Sequence, residues 1–364
     1  MSSIYGKNVR VSIFGQSHSA GIGVVIDGLP AGFAPDFEAL SAFMQRRTPG
    51  QSILSTARRE ADEYEILSGF VDGRTCGAPL AAVIKNTNMR PGDYPHFHVT
   101  PRPGHADYTA QVKYEGFQDK TGGGHFSGRL TAPLCFAGGI MKQMLEAQGV
   151  RIGAHIRRIA NVDDDAFNPV SPQLDSVRQG YLTVIDEAAA HRMARVIDDA
   201  RMDMDSVGGV IECAAVGLPA GVGDPMFDGL ENRIAQAVFA IPAVKGLEFG
   251  SGFSCAAMRG SKHNDAFVMK DGEVATGTNH HGGILGGISS GMPVVFRVAF
   301  KPTASIFKPQ NTVNLETMTE EIIAIKGRHD PCVVPRAVPV VEAACAMAVY
   351  DALLNRKKEM GRWI

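Results

Sequence analysis

The chain of 364 residues carries 36 lysines and arginines against 38 aspartates and glutamates. Its net charge is therefore −2, and no overall positive field favours nucleic acid or an anionic membrane as its ligand. Hydrophobic residues make up 45% of the chain and charged residues 20%, which is typical of globular proteins and excludes a disordered chain. The length allows one large domain or two, with ample material for a buried core.

Apolar segments and cysteines restrict the class of protein further. No apolar signal segment opens the chain, and the longest uncharged stretch, 274–296, holds two histidines, six glycines and a proline, which make a poor membrane helix. The six cysteines form no Cys-x-x-Cys pair, so reduced thiols are favoured over a disulfide framework or a zinc site. We therefore predict a cytoplasmic protein with no membrane span and no metal site.

The chain opens with a predicted strand, loop and strand. Apolar runs at 9–14 and 22–26 flank a Gly-rich loop that contains Ser17 and His18. A Gly-Leu-Pro-Ala-Gly turn follows, and Asp36 is the predicted N-cap of a helix over 37–46.

The same pentapeptide recurs at 217–221, between an apolar run at 210–216 and a helical pattern at 230–239. Chance repetition is the alternative, but the matching flanks favour two related halves. We predict one domain, 1–364, with halves at 9–150 and 205–354.

Helical spacing predicts further helices over 130–148, 187–202 and 340–354, and an apolar run predicts a strand over 294–300. Strands and helices do not alternate regularly, so an α+β fold is favoured over a doubly wound parallel sheet. The stretch 86–128 is long and irregular, and its aromatic and histidine content favours a functional loop over a disordered one.

Two histidines lie in loops beside glycines, where a side chain can approach a ligand closely. His18 follows Ser17, and His105 lies in the run Arg-Pro-Gly-His-Ala-Asp-Tyr at 102–108. The alternatives are a surface histidine and a turn decorated by charge.

A third loop, Gly-Gly-Gly-His-Phe-Ser-Gly-Arg at 122–129, precedes a predicted helix. Three glycines free backbone N–H groups for one anion, and the helix N-terminus and Arg129 add positive charge. Anion binding is favoured here over a flexible linker.

Three further runs carry weaker signals. Residues 280–291 form a Gly-rich loop suited to a flat ligand, and its adjacent histidines lack a carboxylate partner for a metal. Residues 301–305 offer phosphate-type donors, and 326–336 hold a cluster of charge that is either a site or a surface salt bridge. No Walker, Rossmann or His-Glu-x-x-His motif occurs, so a flavin or nicotinamide site would have to be built another way. The arginines of these loops imply a small, strongly anionic substrate with phosphate and carboxylate groups.

In this order, from about residue 6 to residue 354, the blocks resemble those of the chorismate synthase family. The resemblance implies a β-α-β sandwich with antiparallel sheets and helices between them, assembled as a cytoplasmic homotetramer. It implies a 1,4-anti elimination of phosphate from 5-enolpyruvylshikimate 3-phosphate to give chorismate, with reduced FMN (FMNH2) required but not consumed. Some family members reduce their flavin with NADPH (NADP as a further ligand), and others need an external flavin reductase.

The resemblance also implies roles for individual residues. His18 would donate a proton near the substrate phosphate, and Asp330 would accept a proton near flavin nitrogen 5. His105 would lie by the flavin pyrimidine ring, where it would protonate or stabilise the reduced flavin. Substrate contacts are implied for Ser17, Arg47, Arg102, Arg129 and Arg336. Flavin contacts are implied for His125, Phe126, Ser127, Pro242, Ala243, Gly286, Lys301, Pro302, Thr303, Ala304, Ser305 and Arg328.

The chain departs from the usual family pattern at Gln16, Ser19, Ile53, His125 and Phe126, which concerns the contacts to FMN and substrate. Two other functions remain as alternatives. One is a flavin oxidoreductase with net electron transfer, and the other is a non-catalytic protein that binds anions or RNA, against which the near-neutral charge argues.

Overall fold

The computed structural model describes residues 3–52, 54–55, 60–87, 97–325, 327 and 329–361. Within these residues the α-helices are α1 (Phe37–Gln45), α2 (Asp107–Lys113), α3 (Thr131–Glu146), α4 (Glu187–Met202), α5 (Leu230–Phe239), α6 (Gly260–His263) and α7 (Val334–Glu359). The strands are β1 (Ile4–Tyr5), β2 (Arg10–Gly15), β3 (Gly21–Asp27), β4 (Tyr64–Ser68), β5 (Phe70–Val71), β6 (Arg74–Thr75), β7 (Leu80–Lys85), β8 (Arg151–Ile159), β9 (Val162–Asp163), β10 (Gly209–Val216), β11 (Val244–Phe249), β12 (Phe267–Lys270), β13 (Glu273–Thr276), β14 (Ile284–Leu285), β15 (Ile288–Ser289), β16 (Val294–Phe300), β17 (Gln310–Asn314) and β18 (Thr319–Ile323).

Two five-stranded antiparallel sheets carry the fold. The N-terminal sheet has the strand order β1-β2-β3-β7-β4, and the C-terminal sheet has the order β11-β16-β10-β8-β9. Both sheets bury an apolar face, and their inward residues join one continuous core. Four shorter hairpins surround them.

Helices α3 and α7 lie between the two sheets and pack on each other. Helix α3 contacts β2, β3 and β7 of the N-terminal sheet, whereas α7 contacts β8 and β10 of the C-terminal sheet. The two helix backbones approach so closely that a Cβ at Gly138 would lie 2.4 Å from Ala343. The expected α+β class, with helices between antiparallel sheets, is confirmed.

Most element boundaries agree with the sequence pattern. Asp36 caps α1 through the N–H groups of Glu38 and Ala39, both at 2.9 Å, because its carboxylate satisfies amides that have no partner within the helix. The predicted start of α7 at Val340 was wrong, since the helix begins at Val334. Pro335 lies in the first turn, where no N–H is needed, and Pro339 costs the helix one hydrogen bond without ending it.

Helix α7 is long and apolar enough to cross a membrane by composition alone, but almost all of its apolar window is buried inside the fold. The apolar surface of α7 is therefore covered by other parts of the same chain.

The glycines of the two Gly-Leu-Pro-Ala-Gly turns have closely similar φ values. Gly28 and Gly32 adopt φ values of 88° and 93°, and Gly217 and Gly221 adopt 84° and 89°. Each turn follows a strand that is central in its sheet and precedes a helix that packs on the core. The division into two related halves stays a prediction that agrees with this correspondence.

Candidate active site

A cleft of about 760 Å³ is lined by loops that are far apart in the sequence. These loops lie at the ends of β2, β16 and α5, before α3 and at the start of α7. Most of the residues for which the resemblance implies a role line this cleft. They are Ser17, His18, Arg47, Arg102, His105, His125, Phe126, Ser127, Arg129, Pro242, Ala243, Lys301, Pro302, Thr303, Ala304, Ser305, Asp330 and Arg336. Their roles remain predictions.

Two implicated residues are not in that set. Gly286 lies with Gly287 in the turn of the β14–β15 hairpin, and it does not line the cleft of this chain. Both glycines have positive φ, 61° and 84°, as a two-residue hairpin turn requires, so hairpin geometry explains the glycine pair. Arg328 and the departure at Ile53 lie outside the described residues.

The cleft wall holds a pair of buried arginines, Arg47 and Arg129. Asp62 lies between Arg47 and Arg129 and accepts hydrogen bonds from both guanidinium groups, while Glu60 lies 3.3 Å from Nε of Arg129. All four side chains are at most 4% exposed. The two cations are thus held side by side before any ligand binds.

Charge explains why this buried cluster is stable. Burial alone would raise the pKa of the Asp62 carboxyl, but the two guanidinium groups lower it below its usual value. Asp62 therefore stays ionised at neutral pH. Its backbone adopts a φ of 53°, in the left-handed region that residues with a Cβ rarely use, and such strain is concentrated at functional sites.

The cleft wall also holds the two predicted catalytic histidines. Ser17, 1% exposed, places its Oγ 2.9 Å from Nδ1 of His18. The His18 ring packs on Gly122, where a Cβ would lie 2.4 Å from the ring carbon Cε1. Only glycine fits there, so the triple-glycine loop shapes the wall beside His18.

His105 is bound to a carboxylate of its own loop. Its Nδ1 lies 2.6 Å from Oδ1 of Asp107, which also accepts a hydrogen bond from Nη2 of Arg102 at 2.7 Å. The Arg102 guanidinium is buried and lies over the Phe97 ring, 4.4 Å from its centroid. Arg102 lines the cleft as predicted, yet most of its donors bind groups of the protein.

Asp330 and Arg336 form an ion pair near the start of α7. The Nε of Arg336 also donates to the backbone oxygen of Arg47 at 3.0 Å, which joins this pair to the buried arginines. Asp330 lies on the cleft wall beside Arg336, a position from which it could either anchor Arg336 or take up a proton.

The loop before α3 is tied down by a residue that departs from the family pattern. Nδ1 of His125 lies 2.8 Å from the Gly15 oxygen, and Nε2 lies 2.9 Å from Oγ of Ser3. Ser127 caps the following turn by accepting from the N–H of Arg129. The positive end of the 16-residue helix α3 then begins at the cleft wall, where it favours an anion.

A third part of the cleft is cationic and holds an unsatisfied donor. Burial lowers the pKa of the Lys301 ammonium, and the neighbouring Lys245 lowers it further. The buried Oγ1 of Thr303 has no hydrogen-bond partner in the described part of the protein. Ala243 beside them has a φ of 73°, a costly conformation for a residue with a Cβ. These features suit an anionic ligand with hydrogen-bonding atoms.

Sequence reasoning missed Glu60, Asp62 and Lys245 and gave Asp107 no role. Asp62 carried no local signal, because its partners lie 15 and 67 residues away in the chain. Asp107 was visible inside the block at 102–108, two residues after His105, and that spacing was the available hint.

Comparisons with known proteins agree along the whole chain. A family model described as chorismate synthase matches residues 9–354. A chorismate synthase of Lancefieldella parvula is 46% identical over 99% of this chain and 98% of the relative, and one of Thermococcus gammatolerans is 48% identical over 97% and 98%. A solved crystal structure of chorismate synthase matches with a TM-score of 0.74 and 27% identity, covering 96% of this chain and 93% of that chain.

Proposed function

The chain belongs to the chorismate synthase family, a lyase family of aromatic biosynthesis that eliminates phosphate, and we propose that its cleft binds 5-enolpyruvylshikimate 3-phosphate together with reduced FMN. The observation that carries this proposal is the convergence of two buried arginines, two histidines and an Asp–Arg pair in one cleft. A flavin oxidoreductase and a non-catalytic RNA-binding protein gain no support from the relatives.

Charge supports the choice of substrate. The cations on the cleft wall are Arg47, Arg102, Arg129, Lys245, Lys301 and Arg336. The carboxylates on or directly behind the wall are Glu60, Asp62, Asp107 and Asp330. The cations exceed the carboxylates by two, so the side chains give the cleft a positive potential. A substrate with one phosphate and two carboxylates would neutralise it, and forked guanidinium donors match those groups.

The same wall supports the choice of cofactor. Lys245, Lys301 and Thr303 would hold the phosphate and polar edge of FMN, and the strained backbone at Ala243 would contact its ring. When bound, reduced FMN supplies electron chemistry that side chains cannot provide. The residues present therefore fit this cofactor.

The chain's own residues would bind the anions and move protons. In the elimination, the bond from carbon 3 to the phosphate oxygen breaks and a proton leaves carbon 6. The ring double bond between carbons 1 and 2 is lost, and double bonds form between carbons 1 and 6 and between carbons 2 and 3. Arg47 and Arg129 would hold the substrate anions in a site that excludes water. His18 would donate a proton to the leaving phosphate oxygen, and Asp330, which is paired with Arg336, would take up the proton that the substrate loses.

The remaining parts of the proposal concern assembly and surroundings. We propose a cytoplasmic homotetramer, which is supported by family membership and by large apolar side chains on the surface. Phe227 is 89% exposed and Phe253 is 85% exposed, and the β12–β13 hairpin exposes Phe267 and Met269. Flavin reduction by NADPH on this chain and by an external reductase remain alternative proposals.

Phosphate release under anaerobic conditions tests the proposal. The purified protein is mixed with 5-enolpyruvylshikimate 3-phosphate in three parallel reactions, which contain reduced FMN, oxidised FMN or no flavin. Phosphate release and the flavin absorption spectrum are followed in each. We expect many turnovers with reduced FMN, no net flavin oxidation and no turnover otherwise. Full turnover with oxidised FMN and no reductant, or one flavin oxidised per product, would refute it.

A further inference from the structure

The contact between His105 and Asp107 has a consequence for the protonation of the imidazole ring. We propose that Asp107 is a positioning residue that keeps the proton of neutral His105 on Nδ1 and leaves Nε2 available to ligands in the cleft. In the described part of the protein, Nε2 of His105 has no hydrogen-bond partner, although the residue lines the cleft. The functional part of this inference rests on the proposed role of His105 in the reaction.

The arrangement of donors around Asp107 fixes which ring nitrogen carries the proton. The Nη2 of Arg102 has two hydrogens, and it has two acceptors, Oδ1 of Asp107 at 2.7 Å and the Gly122 oxygen at 2.9 Å. Its 3.1 Å approach to Nδ1 of His105 is thus a contact between two donors that share one acceptor. Since the bond from Nδ1 to Oδ1 is 2.6 Å long, Nδ1 must be the donor in it.

The acceptor is a carboxylate and not a carboxylic acid. Burial would raise the pKa of Asp107, but hydrogen bonds from Arg102 and His105 lower it well below its usual range. The second oxygen, Oδ2, accepts from the backbone N–H of Arg102 at 3.0 Å and from its Nε at 2.7 Å. Four donors from two residues therefore surround one ionised group, and none of them can be turned into an acceptor except the imidazole.

Arg102 extends this effect to the second histidine. The Gly122 carbonyl that accepts from Arg102 belongs to the residue on which the His18 ring packs. Gly122 has a φ of 65°, so glycine is required there for backbone conformation as well as for space. The Asp107–Arg102 pair thus supports the walls at both histidines, which explains why the arginine is buried.

The variant Asp107→Asn distinguishes a role in orienting the His105 ring from a role in packing, because asparagine keeps the shape of the aspartate side chain and replaces one acceptor oxygen by an NH2 donor. Two N–H donors of Arg102 face Oδ2 and one, on Nη2, faces Oδ1, so the new amide keeps its oxygen on the Oδ2 side and turns its NH2 group towards His105. Nη2 then keeps the Gly122 oxygen as its acceptor. Nδ1 then becomes an acceptor, and the proton of the neutral ring moves to Nε2. His105 would present a donor to the cleft where the natural protein presents a lone pair.

Nitrogen-15 NMR of histidine-labelled full-length protein tests this without substrate or FMN, with His105→Gln identifying the signals. We expect neutral His105 to be protonated on Nδ1 in the natural protein and on Nε2 in Asp107→Asn. In the elimination assay, kcat should fall by about 10-fold or more, since an Asp→Asn change that reverses the tautomer of a catalytic histidine can cost up to about 10⁴-fold. The KM for substrate and the Kd for FMN should stay within about twofold.

Asp164→Asn is the matched control, since it makes the same change beside the buried His155, outside the cleft. It should lower the melting temperature and leave kcat unchanged. An Nε2–H ring in the natural protein would overturn the proposal even if Asp107→Asn fails to fold, and so would wild-type kcat in Asp107→Asn. If the tautomer changes as expected but no variant or natural protein releases phosphate, the proposed function fails and the positioning role stands.

Discussion

The protein contains two histidine–aspartate couples of similar geometry and different setting. In the cleft, Nδ1 of His105 binds Asp107 at 2.6 Å, and the His105 side chain is 20% exposed. In the C-terminal sheet, Nδ1 of His155 binds Asp164 at 3.0 Å, Nε2 binds Glu212 at 3.1 Å, and the side chain is fully buried. One couple leaves a ring nitrogen for a ligand, and the other leaves none.

The difference shows how the same chemistry serves structure or reaction. The Asp164 carboxylate also accepts from the N–H groups of Ile185 and Asp186, so the His155 cluster attaches the segment before α4 to the sheet. A histidine bonded through both nitrogens to carboxylates keeps its charge to a higher pH than a free imidazole does, and it has no ring nitrogen left to exchange a proton with a ligand. Burial would lower the pKa of His155, but hydrogen bonds to Asp164 and Glu212 raise it above its usual value.

The largest effect is expected at the buried couple. His155→Ala removes the cation between Asp164 and Glu212, and Glu212 keeps only the more distant Arg297, at 3.8 Å. The variant should lower the free energy of unfolding by about 3–5 kcal/mol. Urea unfolding followed by circular dichroism measures this loss. The fraction that stays folded should retain the natural kcat, because the cluster lies outside the cleft. Wild-type stability would show that the cluster carries no net charge interaction.

The two histidines of the cleft should show the opposite pattern, with a large loss of turnover and little loss of stability. His105→Ala and His18→Ala should each lower kcat by about 10²-fold or more, as for lost acid–base groups, with melting temperatures close to that of the natural protein. The assay is phosphate release at saturating substrate and reduced FMN. Unchanged turnover in either variant would remove that histidine from the mechanism.

The variant Asp330→Asn tests whether the carboxylate paired with Arg336 accepts a proton in the reaction or only anchors Arg336. In Asp330→Asn the shape is kept and the charge is lost, so a proton acceptor should lose about tenfold or more in kcat while substrate and FMN bind as before. Measuring kcat, KM and the FMN Kd separates the cases. Weakened binding with normal turnover at saturation would identify an anchor for Arg336 and contradict the proposed role.

The smallest expected effect is the pH dependence of stability. The pKa of His155 is higher in the folded than in the unfolded protein, so its contribution is complete below about pH 6.5 and is lost as the pH rises through the folded value. Asp164 has the opposite sign, because its folded pKa is lowered by His155 and by backbone N–H groups, and its contribution is lost in acid below about pH 4. The urea midpoints of the natural protein and of His155→Gln should differ at about pH 6. The difference should become smaller at about pH 9. Parallel pH curves would exclude a titrating His155.

Local patterns were sufficient for most elements and for much of the cleft. The Asp36 cap, the turns at 28–32 and 217–221, and the periodicity of α4 and α5 are decided by neighbouring residues, so short windows of sequence predict them. The loops that meet at the cleft were also visible as Gly-rich runs with histidines and arginines. The family resemblance then supplied an order and a set of roles that no window contains.

Contacts between distant segments were decided only by the tertiary structure. Asp62 joins Arg47 to Arg129, and Arg102 joins Asp107 to Gly122, because folding brings these segments together, and neither partnership has a periodic signal. The start of α7 was mispredicted for a related reason, since packing between two sheets stabilises a helix that carries two early prolines. Sequence determined which residue types enter the cleft. Burial and donor geometry, which exist only after folding, decided which of them remain available to a ligand.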